Sequence, residues 1–338
     1  MISRLSAIIL LLASLGPALH AREITDMMGR KITVPDKIER LYAPSPYGAY
    51  MMYALAPDLM TGLVFAPKDA EKKFLPKVLW NLPVIGGGPQ AMNPETMAKS
   101  RPQLLVVWKN DNNPVNDRQT EQFDKLGIPY VYVVADGMTG YPEAIRFLGR
   151  LTGREKRAEE MARLVTKTLT DVGVAVNKVP AAKRPKVYYA EGVDGLSTEC
   201  NDSIHTQVLQ LAGDVDIHRC HTSSHMGMEK ISLEQIMMDA PDVIMAQEKM
   251  FYDKVYQDPA WQQVKAVRER KVFLIPHAPL NWFDRPPSFM RFLGLQWTAA
   301  HLYPASYPVD MVKETKTFYR VFLGATLTDQ DVREILQQ

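Results

Sequence analysis

The chain has 338 residues, with 40 Lys and Arg against 38 Asp and Glu, a net charge of +2 and two cysteines. Its basic side chains are scattered and no nucleic-acid signature occurs, which excludes a nucleic-acid partner. With 46% hydrophobic residues it can bury a sizeable core, yet nothing beyond the amino terminus is long and apolar enough to span a bilayer.

The chain opens with MISRLSAIILLLASLGPALHA, one arginine followed by an apolar run from Ala7 to Leu15 and the helix breakers Gly16 and Pro17. This pattern predicts a secretory signal peptide over 1–21, cleaved after Ala21, the rival being a retained anchor helix. No cysteine follows the run to take a lipid, so the expectation is a free periplasmic protein. About 317 residues then remain, which at about 150 per domain predicts two domains. We place an N-terminal lobe over 22–140, helices including an inter-lobe linker over 141–178, and a C-terminal lobe over 179–338.

Short apolar runs follow in order: Arg40-Leu41-Tyr42, TGLVFA at 61–66, QLLVVW at 103–108, PYVYVV at 129–134, KVYYAEG at 186–192, DVIMAQ at 242–247 and KVFLIP at 271–276. Strands without polar alternation, separated by helical stretches, predict parallel sheets covered on both faces, an α/β class. An internal echo points to two such sheets. NPETMAKSRPQLLVV from Asn93 and SLEQIMMDAPDVIMA from Ser232 each place a capping residue two before a Glu, and a Pro seven after that Glu. The cap opens a short helix and the Pro forces the chain to extend. Chance similarity of two helix-strand units is the bland alternative. Between the echoes, Arg154 to Val176 carries Met161, Leu164, Val165, Leu169 and Val172 at helical steps. A helix there runs about 34 Å, enough to cross from one lobe to the other.

The ordered set of signal, NPETMAKSRPQLLVV, mid-chain helix, SLEQIMMDAPDVIMA, DPAWQQVKAVRERKVFLIP and NWFDRPPSFMRFLGLQWTAAHLYP resembles the helical-backbone class (class III) of periplasmic substrate-binding proteins. These serve ABC importers of iron-siderophores, haem, cobalamin and related metal chelates. The resemblance implies two Rossmann-like lobes with parallel sheets joined by one long helix, a ligand in the cleft between them, and delivery to a permease and its ATPase. It implies a monomer whose metal chelate, an iron-siderophore or a nickel or cobalt chelate, is cargo rather than a permanent cofactor. The chain departs from the family where a Glu normally starts the first lobe's first helix, since Tyr50 stands there. Glu229 and Glu234 are the candidates for the second lobe's docking acid.

Ligands in two-lobed α/β proteins meet the loops at the carboxyl ends of strands. The segment IHRCHTSSHMG, from Ile217, puts three of seven histidines and one of two cysteines on such a loop. Imidazole suits iron, nickel, cobalt and zinc, so His218, His221 and His225 are metal candidates, with contact to the chelate's organic part or plain solvation as the alternatives. Their spacing matches no closed structural zinc set. Cys200 and Cys220 are expected to form a disulfide, thiolate ligation being the alternative. Tyr47, Trp108, Tyr189, His277 and Trp282 are ligand-binding candidates, the aromatic ones equally explained as core. His301 reads more readily as structural, whereas Arg285, like Trp282, is as readily structural as ligand-facing. The rival class, a secreted metal-dependent hydrolase using the His cluster, lacks H-E-x-x-H, a nucleophile elbow and a P-loop, so no catalytic residue is expected.

Overall fold

The computed structural model describes residues 21–87, 91–109, 121–213, 215–216, 218–222 and 227–337. Its first strands, β1 (Ala21–Thr25) and β2 (Lys31–Pro35), form an antiparallel hairpin. The Asp26 carboxylate closes the turn, accepting from the Met28 and Arg30 backbone N–H groups and, at 2.9 Å, from the Arg30 guanidinium. The first lobe's sheet follows: β3 (Leu41–Tyr42), β4 (Leu104–Lys109) and β5 (Tyr130–Val134) lie in that order, all parallel. Strand β4 is buried as far as Trp108, as a strand with no solvent-facing side must be. The strand expected at 61–66 shrinks to a single parallel bridge between Leu63 and Val84. Its neighbour Pro83 has no N–H with which to extend the ladder.

The second lobe contains β6 (Lys186–Ala190), β7 (Ser197–Thr198), β8 (Val215–Asp216), β9 (Glu229–Lys230), β10 (Val243–Ala246) and β11 (Val272–Leu274). Four of these form a parallel sheet in the order β11-β10-β6-β8, and β7 pairs antiparallel with β9.

The sequence echo has a matching geometry. Helix Pro94–Ser100 is capped by the Asn93 side chain on the Thr96 N–H and ends at Arg101 with φ 46°. Helix Leu233–Asp239 is capped by Ser232 on the Gln235 N–H and ends at Ala240 with φ 47°. In each, the left-handed residue stops the helix, and the proline after it feeds β4 or β10.

The linker is the helix Glu155–Asn177, 23 residues long. Met161, Val165 and Val172 of the expected stripe are buried, while Leu164 and Leu169 are half-buried against the same core. It folds back on helix Tyr141–Thr152, which ends at Gly153. The two helices touch through Gly149, where an added Cβ would lie 2.4 Å from the Ala158 Cβ. The chain's last helices, Met311–Leu323 and Asp329–Leu336, do not stay with the second sheet. They return to the first lobe, where Tyr319 meets Phe74 edge-on at 5.4 Å and Lys73 pairs with Asp331 at 2.6 Å. Arg157 of the linker ties them in by donating to the carbonyls of Ala54 and Phe322. No described helix is long and apolar enough to cross a membrane.

Candidate functional site in the inter-lobe cleft

Parallel sheets aim all their carboxyl ends at one edge, and the side chains just beyond those ends define the site. In the second lobe these are Glu191 after β6, Gln247 and Glu248 after β10, and His277 after β11. In the first lobe they are Tyr47 after β3 and Trp108 with Lys109 at the end of β4.

His277 is exposed, yet burial by surrounding atoms is the main cause holding its pKa below the ordinary value. Its place just after β11 sets it at the carboxyl-end edge of the second sheet. A hydrogen bond to the Gln247 backbone and the charge of Glu248 oppose that lowering, while the charge of Lys68, from the first lobe, adds to it. A neutral imidazole near pH 7 presents a nitrogen lone pair, the form that binds a metal. Asn281 approaches the His277 Nε2 at 3.4 Å and also donates to the Gln247 side chain at 3.0 Å.

Behind this wall lies a buried charged network that the sequence did not single out. Arg285 is gripped by the carboxylates of Glu191 and Glu199, with the Asp284 carboxylate 3.8 Å away. His205 pairs with Asp284 at 2.6 Å, and the Tyr189 hydroxyl donates to Asp284 with the Gln247 side chain 3.1 Å away. Glu191, Glu199 and Asp284 have fully buried side chains. Burial, with Asp284 and Glu199 nearby, pushes the Glu191 carboxyl up to about 8 despite its guanidinium partner. Its Oε2 has no hydrogen-bond partner, consistent with a proton held there. The only cue in the sequence was the run of acids after β6 together with Asp284-Arg285, which shows chemistry but not burial.

Several candidates change standing. Tyr189 and Trp282 are 3% and 0% exposed, so they are core side chains and offer no face to a ligand. The Trp282 indole N–H is satisfied by the Ala278 carbonyl at 2.9 Å. Trp108 is also buried, and forms a wall against which half-buried Tyr47 stacks at 6.4 Å. Tyr141 packs tilted against Trp108 at 5.0 Å and meets Phe292 of the second lobe edge-on at 5.1 Å, an aromatic column that joins the lobes beneath the cleft. Tyr50 is buried beside Tyr53, so its position offers no docking side chain. His301 is held between Phe273 and Trp297 as a core histidine.

The histidine loop follows β8, at the same edge of the sheet. Cys200 and Cys220 are joined by a disulfide, with Cα atoms 4.9 Å apart. His221 is fully exposed and its Nδ1 lies 3.1 Å from Asp202, which leaves Nε2 outward. Asp202 also accepts from Thr222, and these bonds hold its carboxyl down at about 2. His218 is half-buried, and His225 lies outside the described residues. Among the described residues, no group of three or more His, Cys, Asp or Glu is placed to hold a metal ion.

Two parallel sheets bridged by a helix, with a cleft between strand ends, define a two-lobed binding protein. Residues 61–279 match the periplasmic binding protein family, and the chain belongs to it. An ABC transporter solute-binding protein from Sulfurospirillum deleyianum superposes with a TM-score of 0.88 at 35% identity, covering 94% of this chain and 99% of that one. The molybdate-binding protein MolA of Haemophilus influenzae is 23% identical over 92% of this chain and 94% of its own length. A vitamin B12-binding protein of Salmonella typhimurium is 27% identical over 58% of this chain and 68% of its own.

Proposed function

We propose that the protein captures a metal chelate in its inter-lobe cleft, in the periplasm, and hands it to an ABC permease and its ATPase. The observation that carries this is His277, an imidazole set by β11 at the second lobe's strand ends and kept neutral near pH 7 by burial. One nitrogen completes the coordination of a metal already wrapped in an organic ligand, whereas a bare ion needs several such donors. The vitamin B12-binding relative supports the class, since its named ligand is itself a metal chelate. An inorganic oxoanion is the second reading, favoured by the name of the Haemophilus relative. We assign no catalytic residue and no permanent cofactor. His218, His221 and His225 remain proposed as additional contacts from the loop after β8, with His277 the principal one.

Native mass spectrometry of protein purified from its own cells, then challenged with iron(III)-siderophores, nickel and cobalt chelates, cobalamin, haem and molybdate, tests the assignment. One chelate bound per chain is expected. Binding of none of them, together with measurable hydrolysis, overturns it.

A further inference from the structure

A cavity of about 340 Å³ opens where the second half of the linker helix meets helix Arg291–Leu302 and the start of helix Met311–Leu323. Small-molecule sites span about 300–1,000 Å³. None of its lining residues belongs to a loop at a strand's carboxyl end, so it is distinct from the cleft.

The most deeply buried residue of its lining is Gln296, 3% exposed. Its Nε2 donates to the Thr168 hydroxyl at 2.6 Å, while its Oε1 has no hydrogen-bond partner. A buried acceptor left unpaired is expensive, and here it calls for a donor supplied from the cavity. The charged side chains of the lining divide into a spent pair and an unspent one. Lys167 and Asp171, one turn apart on the linker, pair with each other. Glu314 and Lys178 have no ion pair among the described residues. Burial, and then the charges of Asp171 and Glu314, raise the Tyr307 pKa above its ordinary value, so its hydroxyl remains a donor in the same cavity.

The lining therefore holds an unspent carboxylate and an unpaired amide oxygen for N–H donors, and an unspent ammonium for an anion. Lys178 lies about 10 Å along the helix axis from Asp171, which separates the two demands in space. Between them the linker presents Val174, 52% exposed, and Val309 lines the same cavity, an apolar surface suited to a methylene stem.

We infer that this cavity is a second small-molecule site, for a compact zwitterion whose ammonium meets Glu314 and the Gln296 Oε1, whose carboxylate meets Lys178, and whose stem lies along the two valines. The inference stands whatever the cleft binds.

Isothermal titration at pH 7 with 5-aminopentanoate tests it, with pentylamine and pentanoate as single-charge controls and glycine as a zwitterion without a stem. One 5-aminopentanoate per chain is expected, bound at least about fivefold more tightly than any of the other three. Glu314→Gln, Lys178→Met and Gln296→Leu are each expected to weaken it at least about fivefold, and the first two, at less buried positions, keep the test decisive should the third misfold. His277→Ala should leave it unchanged. No binding of 5-aminopentanoate, binding no tighter than that of the controls, or affinity untouched by both Glu314→Gln and Lys178→Met overturns the site. Loss of affinity in His277→Ala would move the ligand to the cleft and overturn it as well.

Discussion

The Glu199 carboxylate accepts a hydrogen bond from the Met228 backbone N–H at 3.0 Å while it grips Arg285. The same acid thus fastens the end of the histidine loop to the buried network behind the cleft. Gly227 makes the approach possible, because a Cβ there would lie 2.0 Å from the Glu199 Oε1, and its φ of 60° is one that other residues rarely adopt. Gly227→Ala is expected to destabilise the protein by about 2 kcal/mol, read as a lowered Tm, and an unchanged melting curve would refute the contact.

The disulfide acts at the other end of that loop. Closing a segment of 20 residues between Cys200 and Cys220 restricts the unfolded chain and is worth about 3 kcal/mol. The double change Cys200→Ala, Cys220→Ala is expected to lower stability by that order in denaturant titrations while ligand affinity moves less than threefold. A large loss of affinity with stability intact would instead make the bridge part of the binding surface.

Burial of Glu191 gives a pH signature. A carboxyl whose folded pKa rises to about 8 holds its proton in the native state, so the native state binds more protons than the unfolded chain between pH 4.5 and about 8. Stability from this group is complete below pH 4.5 and is lost as pH rises through 8. Glu191→Gln imitates the protonated form, so its Tm is expected to hold between pH 6 and pH 9 where the wild type falls. Parallel curves for the two proteins would show that Glu191 is ionised throughout.

Much of the frame was legible in the sequence because it depends on local signals. Asn93 and Ser232 announce helix starts, Pro102 and Pro241 announce the following strands, and the Met161 to Val172 spacing announces the linker helix. The site was less legible because burial decides it, and burial is a long-range property. Tyr189 and Trp282 looked like stacking platforms, yet packing from the second lobe's core covers both. His277 was recognised by its place after a strand, and Lys68, whose charge acts on it, comes from a loop more than 200 residues earlier in the chain.

The imidazole proposal makes a paired prediction. His277→Ala is expected to weaken chelate binding at least tenfold, about 1.4 kcal/mol, whereas His221→Ala, whose ring is held by Asp202 at the surface, should cost less. Proton and metal compete for one nitrogen, and the pKa of His277 is lowered, so affinity stays level near neutral pH. It falls only once pH drops below the ordinary histidine value of about 6.5. Affinity that is flat down to pH 5, or larger losses at His221 than at His277, would move the contact to the loop after β8.

Lobe motion follows from what crosses between the lobes. The linker is one continuous helix of 23 residues, and its Arg157 binds carbonyls at Ala54 and Phe322, on two separate helices. Beneath the cleft the Tyr47, Trp108, Tyr141 and Phe292 rings pack in series from one lobe into the other, the first pair stacked, the second tilted and the third edge-to-face. Hinge closure needs a few residues free to change φ and ψ, and a packed helix with a packed ring column supplies none. Ligand should therefore be taken up by side-chain and loop adjustment, with the radius of gyration from small-angle scattering nearly the same with and without it. Phe292→Ala removes the second-lobe end of the column and should allow a measurable fall on binding; a fall of the same size in the wild type would show that the lobes close as hinged bodies.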